Sequence, residues 1–167
     1  MNTNKKIIMI CLLGFLVLFL SVFVACTNSL VTYKGKTADK KSRIALPDGP
    51  HKGVWSTDDL TAQYSYSRKA TDLRIFGQVE LSKKLKDASD IVQDFFLQVT
   101  FLNADGQALD TKVLAAAGHR EPFTKLHFDR NYELPASTSA MAFSYDGQMG
   151  EDATGGSDVE FWHDPFR

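Results

Sequence analysis

Cysteine is nearly absent from this chain of 167 residues, which has only Cys11 and Cys26. Cys11 lies inside a long apolar run, so a chain cut at the end of that run keeps a single thiol. That excludes an intramolecular disulfide, a dithiol redox pair and a cysteine-rich zinc site. Nucleophile signatures are also missing: the sequence has no Gly-x-Ser-x-Gly and no glycine-rich phosphate loop. His51, His119, His127 and His163 form no close pair of the kind that shares a metal. Five acids, Asp146, Glu151, Asp152, Asp158 and Glu160, crowd a glycine-rich stretch, but without the Asp-x-Asp-x-Asp-Gly order of a calcium loop. They read as an acidic hairpin loop. The sequence therefore points away from an enzyme, and it names no catalytic residue, cofactor or metal.

Positive charge is scarce on the part that builds a core. The whole chain has a net charge of -1, but from His51 onward there are 12 basic against 18 acidic residues, a net of -6. Between Thr27 and Pro50 the balance reverses, with Lys34, Lys36, Lys40, Lys41 and Arg43 against Asp39 and Asp48. A nucleic-acid binder needs its basic face on the folded part, so nucleic acid is not an expected partner. The basic stretch reads either as a solvated linker or as a segment near anionic headgroups.

The N-terminus carries the clearest signal. Lys5 and Lys6 precede Ile7 to Ala25, 19 residues without a charge, which is the pattern of an export signal. The run ends in Phe23-Val24-Ala25-Cys26, with a small residue directly before the cysteine. This motif resembles the lipobox of bacterial lipoproteins, although Phe23 stands where that family usually has leucine. The resemblance covers the first 26 or so residues. It implies a diacylglyceryl group on Cys26, a new N-terminus there, and a domain held outside the cytoplasm by its lipid anchor. With Thr27 after the cysteine, it implies the outer membrane in a Gram-negative host. The competing reading is an uncleaved signal anchor, since 19 residues of helix span about 28 Å, close to the hydrocarbon thickness. Either way Lys5 and Lys6 keep the N-terminus in the cytoplasm and place the rest of the chain outside.

Residues 27–50 show neither hydrophobic period and end in Leu46-Pro47-Asp48-Gly49-Pro50, so a flexible basic tether is expected there. From residue 51 onward, period-two alternation recurs. Leu73, Ile75, Gly77, Val79 and Leu81 share one face of a strand, and Phe95, Leu97, Val99 and Phe101 one face of another, with Gln98 and Thr100 opposite. Asn103-Ala104-Asp105-Gly106 reads as the turn of a hairpin resuming at Gln107. Further strands are expected at Ala62 to Arg68, Phe123 to Tyr132, Ser139 to Tyr145 and Asp158 to His163, with one short helical turn within Ser82 to Val92. About seven short strands in residues 51–167 predict an all-β domain, an immunoglobulin-like antiparallel β-sandwich.

The C-terminal Phe161-Trp162-His163-Asp164-Pro165-Phe166-Arg167 has the most unusual composition of the domain. One reading uses Phe161 or Trp162 as a plug for the core. The other makes Trp162, Phe166 and Arg167 an exposed anchor for a partner, because aromatics and arginine dominate binding hot spots. Tyr64 and Tyr66 are open to the same two readings. The expected function is a binding or accessory module of the cell envelope that holds another protein. The alternative is a small envelope enzyme or ligand-binding protein acting on carbohydrate or peptidoglycan.

Overall fold

Alternating apolar side chains need a surface to bury against, and in this protein two antiparallel sheets provide it for each other. The computed structural model describes residues 31–89, 91–121, 125–150 and 158–167. Its elements run β1 (Ile44–Ala45), β2 (Gly49–Ser56), β3 (Leu60–Lys69), β4 (Asp72–Leu81), α1 (Lys83–Ala88), β5 (Val92–Leu102), β6 (Ala108–Glu121), β7 (Leu126–Glu133), β8 (Ala140–Met149) and β9 (Val159–His163). One sheet has the order β1-β8-β5-β6, with β9 also on β8, and the other β2-β3-β4-β7. β1 and β9 share one side of β8, at Ala140–Met141 and Tyr145–Met149 respectively. β2, β3 and β4 form a meander within one sheet, whereas an immunoglobulin-like order crosses to the other sheet after two strands. The all-β expectation and the two antiparallel sheets are found; the strand order is this chain's own.

The core lies between the sheets. β4 contributes Leu73, Ile75, Val79 and Leu81, and β5 contributes Phe95, Leu97, Val99 and Phe101, all buried as the alternation predicts. Phe143 of β8 meets Tyr64 and Trp55 of the opposite sheet, each ring centroid at 5.2 Å. Burying side chains of this size contributes about 1.5 to 3 kcal/mol each. Gly77 sits level with Tyr64 and Phe128 across the sheet. A Cβ there would overlap the Gln63 carbonyl oxygen and lie 2.9 Å from the Phe128 ring, so only glycine fits between the β3 backbone and that ring.

Local signals also hold. The Asn103 side-chain carbonyl accepts hydrogen bonds from the Asp105 and Gln107 backbone N–H groups, and Gly106 takes φ +84°, closing the expected hairpin turn. The Ser82 hydroxyl caps α1 by accepting from the Leu85 N–H, and Leu85 points into the core.

Two expectations change. From Tyr33 on, the supposed tether belongs to the folded unit, which begins at Thr32 rather than residue 51. Tyr33, Ala38 and Leu46 are buried, and the intervening backbone is hydrogen-bonded to the hairpin and the C-terminal tail. Isolated anchors joined by backbone bonds leave no period in the sequence. The same packing explains why Gln98, Thr100 and Leu102, on the outer face of β5, are buried as well: Tyr33, Ala38 and Phe166 form a second cluster with Leu102, Ala108 and Ala142. Among the described residues no helix is long and apolar enough to cross a membrane. The signal run, Cys26 and the acids Glu151 and Asp152 lie outside the described residues.

Candidate binding face

The N-terminal segment and the tail cover the outer face of the five-stranded sheet around Leu102 and Ala142, while Asp146 and Trp162 at its other end stay exposed; the outer face of β2-β3-β4-β7 is a second open sheet surface. Strand register builds it in two rows. Val54, Gln63, Gln78 and His127 lie side by side across the four strands, and Lys52, Ser65, Phe76 and Asp129 form the neighbouring row. These residues line a shallow trough of about 820 Å³. Its apolar part is Phe76, 43% exposed, and Val54, 67% exposed, both on a face where the alternation calls for polar residues.

Polar groups ring that apolar floor. Arg74 grips Asp129 with two hydrogen bonds, Nε to Oδ1 at 3.0 Å and Nη2 to Oδ2 at 2.7 Å. The guanidinium lies 5.5 Å from the Phe76 ring centroid, within cation–π range. Its hydrogen bonds hold the Asp129 carboxyl below the usual carboxylate range, so the pair stays ionised at neutral pH. The Gln78 Nε2 donates to the Gln63 Oε1 at 3.1 Å. That ties the two amides together and leaves the Gln63 NH2 and the Gln78 carbonyl available for further hydrogen bonds.

A second cluster sits between the sheets at the β2 and β9 edges. The Tyr145 hydroxyl donates to the Asp59 Oδ2 at 2.7 Å and lies 2.9 Å from the Thr57 hydroxyl. Burial, above all, pushes the Tyr145 hydroxyl far above its ordinary value, so it stays a phenol. His163 stacks on Tyr145, centroids 5.9 Å apart, and meets the Trp55 ring edge-on at 5.5 Å. Its buried Nε2 has no hydrogen-bond partner, and desolvation lowers its pKa, keeping the ring neutral. Among the described residues no hydrogen bond links His163 to Tyr145, Thr57 or Asp59. The cluster pins the β2–β3 turn to β8.

The proposed C-terminal anchor does not assemble as one surface. Trp162 is 68% exposed on β9, and Arg167 is exposed in an ion pair with Asp39 at 2.9 Å. Phe166 is the correction: only 7% of it is exposed, because it stacks on Tyr33 at 4.1 Å. Tyr64 and Tyr66 are core residues of the central strand β3, and His51 stacks on Tyr66 at 5.1 Å. Asp158 accepts hydrogen bonds from Gln93 and Gln148. Among the described residues, no three His, Cys, Asp or Glu side chains gather as a metal site would require. Sequence reasoning missed the trough, although one signal was there: Phe76 falls on the polar face of β4, between Arg74 and Gln78. In comparisons with known proteins, no family model, no curated protein and no solved structure matches this chain.

Proposed function

We propose that this chain is a lipoprotein of the bacterial cell envelope, anchored to the membrane through Cys26, whose domain outside the cytoplasm binds a partner on the outer face of its four-stranded sheet. The two-layer build is shared with immunoglobulin-like binding modules, which present partners with a rigid surface rather than a deep catalytic cleft. One observation carries the reading: Phe76 of β4 and Val54 of β2, two strands apart, are both exposed on this face, with the Arg74–Asp129 pair and the Gln63–Gln78 amides among them. An aromatic and an arginine in contact on a rigid sheet match the composition of protein hot spots. The partner is accordingly an envelope protein, and the domain holds it without turning it over.

The second reading, a saccharide ligand such as a peptidoglycan fragment, is supported by the hydrogen-bonded amide pair, which offers one donor and one acceptor beside an aromatic ring. Two measurements test the proposal. Mass spectrometry of the native N-terminus should find a diacylated Cys26; an intact Met1 start would identify a signal anchor, and cleavage without acyl chains would remove the anchor. Phe76→Ala should abolish retention of the protein partner at unchanged thermal stability. If peptidoglycan fragments bind the wild type and not Phe76→Ala, the saccharide reading replaces the protein one; if either ligand is retained by Phe76→Ala, the trough is not the binding face.

A further inference from the structure

We infer that the folded basic segment from Lys34 to Arg43 docks on the anionic lipid surface in which the chain is anchored, an inference that rests on the Cys26 anchor proposed above. Lys34, Lys36, Lys40 and Lys41 are exposed, and none of them is in an ion pair among the described residues. Within the segment the sole acid is Asp39, already engaged by Arg167. Asp105 in the neighbouring turn, Asp164 in the tail and Asp146 of β8, the last two acting on Tyr33, are further acids near it, and the five basic side chains of the segment outnumber these three.

These lysines are carried on a fixed body. Gly35 donates to the Ala108 carbonyl at 3.0 Å, Ala38 to Gly106 at 2.9 Å, Asp39 to Pro165 at 2.8 Å, and Arg167 back to Thr37 at 3.1 Å. The Arg43 guanidinium closes the segment on the Ala38 carbonyl. Docking a surface that is already ordered does not have to order a coil first.

Chain length brings the surface to the lipid. The folded unit starts at Thr32, and the stretch from Cys26 to Thr32, even fully extended, reaches only about 20 Å. A basic surface confined that close meets the headgroups at high effective concentration, and its attraction falls off within a Debye length. Anionic phospholipid is therefore the occupant whose charge and position both fit. Because the segment packs on the outer side of the five-stranded sheet, against Leu102 and Ala142, docking leaves the trough on the opposite sheet turned away from the lipid.

The test uses the full, acylated chain in vesicles of phosphatidylcholine alone or with phosphatidylglycerol. Flotation reports the anchor, and acetylation of each lysine, read by mass spectrometry, reports the surface. Lys34, Lys36, Lys40 and Lys41 should become severalfold less reactive in the phosphatidylglycerol vesicles, with high salt restoring them, while Lys52 and Lys84 stay unchanged. If the chain floats but all six lysines react alike in both vesicles, docking is overturned and the anchor stands. If the chain does not float, the anchor fails and docking with it. Protection by soluble polyglycerol phosphate, without protection by anionic vesicles, would assign the surface to an envelope polymer and overturn the lipid inference.

Discussion

The ring of Tyr33 stacks on that of Phe166 at 4.1 Å, with 21° between their planes, joining the start of the folded unit to its end. Backbone bonds flank the contact on both sides, between Thr37 and Arg167 and from Asp39 to Pro165. The C-terminal tail is thus a structural clasp over the outer face of β5 and β8.

Breaking that clasp should be costly. Phe166→Ala is expected to destabilise the domain by about 3 kcal/mol, the order found for buried phenylalanines cut to alanine, read as a lower urea midpoint. Arg167→Ala should cost less than about 1 kcal/mol, because its ion pair is exposed. Equal, small effects would show that the tail does not hold the fold.

Truncation separates the tether and clasp accounts of residues 33–50. A fragment starting at residue 32 should unfold cooperatively with a sheet-dominated circular dichroism spectrum. A fragment starting at residue 51 loses Tyr33, Ala38, Leu46 and β1, and uncovers Leu102 and Ala142. It should be markedly less stable and prone to aggregate. Equal stability of the two fragments would return those residues to the role of a free linker.

Acid sensitivity follows from His163. Burial disfavours its protonated form, so the folded ring takes up a proton at lower pH than an unfolded histidine near 6.5. Below that value the unfolded chain binds more protons than the folded one, and stability drops as pH falls. Urea midpoints measured from pH 7.5 down to 5 should decline, and His163→Phe should flatten the decline. An unchanged slope in that variant would place the sensitivity elsewhere.

Legibility in the sequence followed the physics of each segment. β4 and the inner face of β5 were readable because strict alternation from Leu73 to Leu81 and from Phe95 to Phe101 has one cause, a core on one side. The turn at Asn103 to Gly106 was readable from local chemistry alone. β2 was not, because Gly49-Pro50-His51-Lys52-Gly53 has almost no apolar residue to alternate. Its pairing is supplied by β3. The burial of Gln98 and Thr100 depends on a segment some sixty residues upstream and on the tail, which no window around β5 contains. Phe166 misled for the same reason: Asp164, Pro165 and Arg167 around it form no apolar pattern, and its partner Tyr33 is distant. Phe76 was the one legible mark of the trough, but its setting with Arg74, Asp129 and the amide pair arises only from the register of four strands.

Site-specific photo-crosslinking in intact cells tests the working face most directly. With a photoreactive residue placed in turn at positions 54, 76, 162 and 166, the structure predicts adducts with an envelope partner from 54 and 76 and none from 162 or 166. Adducts from 162 with silence at 54 and 76 would move the binding surface to β9 and contradict the assignment of the four-stranded face.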